Sequence, residues 1–97
     1  MNINNKLNYQ EDAIVSSEIV KQDGGTVTFF AFDKGQGLSE HTAPYDALVI
    51  ITDGKAEVML EDKKHIMQKD DHLLMPKGAK HSLFALEQFK MILVMIK

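Results

Sequence analysis

The chain has 97 residues, enough for one domain with a modest core. It contains no cysteine, which excludes disulfides, thiolate metal sites and a cysteine nucleophile. The formal net charge is -3 and the 11 basic residues are all lysines, scattered along the chain. Neither a basic footprint for nucleic acid nor the bidentate fork of arginine is therefore available.

Met1 to Gln10 is polar and asparagine-rich, with no apolar run, and does not read as a signal peptide. Residues 1–12 are expected to form a leader, and residues 13–97 a single domain. The longest apolar stretch, Met91 to Ile96, is far short of the roughly 20 residues a membrane helix requires. The expected address is the cytoplasm, with no membrane partner.

From Ala13 onward, short apolar-polar alternation broken by turn signals predicts strands rather than helices. Ala13 to Val20 is the first, and Asp23-Gly24-Gly25 turns the chain into Thr26 to Phe32. There, Val27, Phe29 and Ala31 share one face, and Thr28, Phe30 and Phe32 the other. Gly35-Gln36-Gly37 is a loop before a short extended piece from Leu38 to Thr42, and Pro44 breaks the ladder for want of an N–H. Asp46 to Thr52 is strongly β-prone, and Asp53-Gly54 is the pair favoured in a type I′ hairpin. Lys55 to Leu60 would return from that turn with Ala56, Val58 and Leu60 inward. Short strands at His65 to Gln68 and His72 to Met75 follow, then the Pro76-Lys77-Gly78 turn. His81 to Leu86 and Phe89 to Ile96 close the chain as two further strands.

Eight or nine strands at this spacing predict an all-β fold, a small antiparallel β-barrel. Two segments, Ala47 to Ile51 and Met91 to Ile96, are apolar on both faces. A barrel interior takes one face, so something must cover the other. A homodimer is one expected cover, and the leader packing across that face is the alternative.

Four histidines, His41, His65, His72 and His81, are the candidates for chemistry. His41 and His81 each sit by a Gly- or Pro-bearing turn at a strand start, where a barrel mouth would lie. Gly35, His41 and Gly54 fall on the spacing of the first cupin motif, and Pro76, Gly78 and His81 on that of the second. The chain thus resembles a small single-domain cupin of the conserved-barrel type, a jelly-roll-like double-stranded β-helix.

The resemblance implies a metal set of two histidines and a glutamate from the first motif and a histidine from the second. His41 takes the first position and His81 the last, but Ala43 stands for the second histidine and Ala47 for the glutamate. Asp70 and Ala85 replace the glycine and asparagine of the second motif. Two imidazoles fall short of the three protein ligands usual in catalytic sites. Asp46 becomes a third ligand only if a bulge near Pro44 turns it inward. Any cofactor implied is a divalent metal such as Zn, Fe, Mn or Ni.

Replacing two ligands with alanine leaves an apolar pocket with two imidazoles at one end, the composition of a small-molecule site. His41, Ala43, Tyr45, Ala47 and His81 are expected to line it. Phe29 or Phe30, together with Phe84, would supply walls. Three readings follow. One is a non-catalytic or weakly catalytic protein binding a small polar or anionic molecule. The second is a metal-dependent enzyme, dioxygenase- or isomerase-like, with a reduced ligand shell. The third is a metal-free acid–base enzyme using both imidazoles.

Overall fold

A computed structural model describes all residues, 1–97. After a short 3-10 turn at Ile3–Asn5 come seven strands: β1 (Ile14–Gln22), β2 (Gly25–Phe32), β3 (Gly37–His41), β4 (Asp46–Leu60), β5 (Lys63–Gln68), β6 (His72–Met75) and β7 (His81–Ile96). Every pairing is antiparallel, in the order β1-β2-β7-β4-β5, with β3 added beside β7 and β6 beside β4. No helix is long and apolar enough to cross a membrane.

The architecture rests on β4 and β7, which pair along nearly their whole lengths. Their first pairing zone, Asp46 to Asp53 against Lys90 to Ile96, is flanked by β2 and β6. The second, Ala56 to Leu60 against His81 to Ala85, is flanked by β3 and β5. The sheet folds over at the junction, bringing its two halves face to face. Phe32, Val49, Ile51, Ala56, Val58, Met67, Leu83, Phe89 and Met91 fill the space between. Phe32 and Phe89 stack there with ring centroids 4.4 Å apart.

Two sequence expectations are corrected at that junction. Asp53-Gly54 is not a hairpin: β4 runs straight through it, and Lys55 to Leu60 continues rather than returns. Likewise, the two expected C-terminal strands are the single strand β7, which brings the strand count to seven. The register slips between Ile51 and Asp53 and again between Gly54 and Ala56, the signature of bulges. Gly54 has φ +78°, and a Cβ there would lie 1.7 Å from the Gln88 carbonyl oxygen. A type I′ turn and a glycine bulge both require positive φ, so the dipeptide alone does not distinguish them.

The outer face of the β2-β7-β4 sheet is apolar as anticipated, and part of it is strapped by the leader. Asn4 donates from Nδ2 to the Thr52 carbonyl (2.9 Å) and accepts from Thr52 Oγ1 (2.6 Å). Tyr9 donates its hydroxyl to Asp53 (2.6 Å); partial burial, reinforced by that carboxylate, pushes the phenol pKa upward. Lys90, buried on the outward side of β7, donates to the Asn4 carbonyl beneath the Tyr9 ring. Every bond is made near the fold-over. The opposite end of the face stays open: Val20 is 39% exposed, Leu74 53% and Ile96 60%.

Candidate functional site

Extended strands place alternate side chains on opposite faces, and strand ends place them at the rim. His81 is the first residue of β7 as expected, whereas His41 ends β3 rather than starting a strand, and antiparallel pairing makes the two direct cross-strand partners. Their rings meet edge to face with centroids 4.2 Å apart. His41 is exposed, whereas His81 is buried at 5% exposure.

Both rings are held in the same way. Nδ1 of His41 lies 2.8 Å from the Ser39 carbonyl oxygen, and Nδ1 of His81 3.2 Å from that of Ala79. A carbonyl only accepts, so each Nδ1 carries a proton and donates it. The proton-free nitrogen of a neutral ring is then Nε2. Burial lowers the pKa of His81, opposed by the bond to Ala79 and assisted by the charge of His41. A neutral His81 therefore presents a bare lone pair.

The histidines stand at one end of a cavity of about 230 Å³ between the sheet halves. Thr42, Ala43 and Pro44 form its rim beside them. Leu38 and Leu83 line one side, with Ala47, Met75, Met91, Leu93, Met95 and Phe30 around the rest. Of the residues expected from sequence, His41, His81, Ala43, Ala47 and Phe30 come together here.

Others do not. Tyr45 lies outside the lining, its ring 5.6 Å from the Lys97 ammonium. Asp46 also lies outside: its carboxylate accepts the Lys77 N–H at 2.8 Å, and no bulge near Pro44 turns it inward. Phe29 is wholly buried beneath the outer face, and Phe84 faces solvent, so neither forms a wall. His65 and His72 border a shallow open groove with Asp70 and Asp71. No group of three or more His, Cys, Asp or Glu side chains in the molecule is arranged to hold a metal ion.

Sequence reasoning missed the three methionines. Met75 and Met95 are the cross-strand partners of Ala47 on either side and Met91 is that of Ile51, so all three methionines share the inward face. Marking the inward positions of β6 and β7 would have found them, but the pairing needed for that marking is not local.

The donor set decides how far a divalent metal fits. Where a hard ion requires a third imidazole and a carboxylate, this site offers the methyl groups of Ala43 and Ala47, the latter 3% exposed. Zinc-type and facial iron sites need at least three N or O donors, and two imidazoles do not meet that demand.

Comparison with known proteins agrees with the geometry. The sequence profile of the cupin domain matches residues 28–97. A conserved protein of unknown function from Streptococcus pyogenes superposes with a TM-score of 0.95 at 31% identity, over 100% of this chain and 85% of that one. A cupin 2 conserved barrel domain protein from Leptotrichia buccalis gives 0.96 at 34% identity, over 100% of this chain and 47% of that one. A cupin superfamily protein from Desulfitobacterium hafniense DCB-2 gives 0.95 at 23% identity, over 99% and 88%. A search among curated proteins found no match.

Proposed function

The chain belongs to the cupin family, and from that premise we propose that it binds a small organic molecule between His41 and His81, with little or no catalysis. The observation that carries this reading is the cavity itself. It is apolar along most of its wall and polar where two imidazoles converge, which is how small-molecule sites are built. At about 230 Å³ it lies below the roughly 300 Å³ at which drug-sized pockets begin, so the ligand has few heavy atoms.

The imidazole tautomer narrows the class further. With Nδ1 donating to a carbonyl, neutral Nε2 accepts, and an anion would meet a lone pair rather than a proton. A compact apolar body bearing a hydrogen-bond donor fits better than the anionic option left open by sequence. The cysteine-free composition agrees with a cytoplasmic protein.

Two molecules with one carbon skeleton test the class. Isobutanol and isobutyrate are each titrated at pH 7.5 while backbone amide shifts are followed by NMR. Isobutanol is expected to move the amides of Leu38, Ala43 and Leu93, and His41→Ala to weaken that response. Preferential binding of isobutyrate, or no shift with either molecule, would overturn the reading.

We infer in addition that two copies pair through the open end of the outer face. Val20, Val27, Val94, Leu48 and Leu74 form one cross-strand row over five strands. At about 4.8 Å per strand the row is about 19 Å long. It contains no charged side chain, so it offers a charged partner nothing and a second copy of itself a match.

A further inference from the structure

Five side chains at the cavity mouth belong to strand ends that the topology gathers on one side of the barrel. His41 closes β3, His81 opens β7, Ala47 is the second residue of β4, Met75 closes β6 and Met95 is the penultimate residue of β7. All five line the one cavity. Ala47, which occupies the family's carboxylate position, has a thioether on the neighbouring strand to each side. The oxygen donor has gone and sulfur flanks its place.

From this juxtaposition we propose that the mouth is a site for a soft monovalent cation, copper(I), held by Nε2 of His41 and His81 and by the sulfurs of Met75 and Met95. Thioether and imidazole ligands favour copper(I), whereas carboxylate and water favour hard ions. All four donors are neutral, which suits a single positive charge in a largely apolar cavity better than a double one. Both rings already donate Nδ1–H to a carbonyl, the outer hydrogen bond that orients a metal-binding imidazole. Methionine has three rotatable side-chain bonds, so its sulfur adjusts to an ion without moving the strand. The inference stands on these side chains and does not rest on the organic-ligand reading; the ion takes the same two Nε2 lone pairs, so the two occupants exclude one another.

The test is anaerobic competition for copper(I) between the full-length protein and bicinchoninate, followed by the colour of the copper–bicinchoninate complex. One copper per chain is expected to transfer to the protein, and an equal concentration of zinc(II) is expected not to displace it. The Met75→Leu/Met95→Leu double variant retains volume and apolar character, so the barrel should persist, which circular dichroism checks. It is expected to bind copper(I) more than about tenfold more weakly, the low end of what even an outer-shell change costs a metal site. His41→Ala should weaken binding likewise, while His72→Ala, in the separate groove, should leave it unchanged. X-ray absorption of the copper-loaded wild type, which requires no variant to fold, should show both sulfur and nitrogen scatterers. Failure to take copper from bicinchoninate, displacement by zinc, undiminished binding in the methionine double variant, or a copper spectrum without sulfur would each overturn the proposal.

Discussion

His81 shows how one burial event sets a charge state. Its ring lies under the rim, and loss of solvent lowers its pKa below the ordinary value near 6.5. Between the folded pKa and 6.5 the unfolded chain holds more protons at this position than the folded one. Stability therefore rises with pH through that window. The contribution is fully present above about 6.5 and is lost as pH falls through the window to the folded value. Thermal melts of the metal-free protein between pH 7.5 and pH 5 should show this loss. His81→Asn, whose amide can still donate to the Ala79 carbonyl, should flatten the slope. An unchanged slope in the variant would assign the pH dependence to other groups.

At the scale of the element, positive φ separates two positions that the sequence presents as unlike. Gly54 bends β4 where a side chain would strike the backbone at Gln88. Gly54→Ala is expected to cost more than about 3 kcal/mol, from left-handed strain and displacement of β7 together. Asp70, where the family motif has glycine, also holds φ +75°. Asp70→Gly removes that strain at some cost in chain entropy, with an expected net gain of about 0.5–1 kcal/mol. Urea melts of the two variants should move in opposite directions. Equal or same-sign shifts would mean that backbone strain is not what distinguishes these sites. Asp70 thus retains a backbone conformation whose usual residue is absent.

For the whole molecule, the question is what covers the outer face. The leader answers for one end, where Asn4 and Tyr9 bond to Thr52 and Asp53 and buried Lys90 donates to the Asn4 carbonyl. The other end is the uncharged row from Val20 to Leu74. Sedimentation analysis should give a mass near twice 10.9 kDa for the wild type. Leu74→Lys, at an already exposed position, should give the monomer with its circular dichroism spectrum intact. A wild type that sediments as a monomer at micromolar concentration would leave the leader as the only cover.

The sequence by itself determined the β class, the motif spacing and the place of His41 and His81. Each of these depends on local alternation, turn residues or short intervals along the chain. It also placed Ala43 and Ala47 in the site, because their positions follow by count from His41. Alternation alone already turned Asp46 outward and no bulge reversed it, whereas Tyr45 precedes β4 in the bend at Pro44, where no strand alternation fixes the direction of a side chain. Gly54 was legible as a positive-φ position but not as a bulge, because only the backbone of β7 lying against it excludes a hairpin. The tertiary structure alone decided that Met75 and Met95 flank Ala47. Neither is near it in sequence, and hydrogen-bonded register across three strands is what brings a thioether to each side of the missing carboxylate.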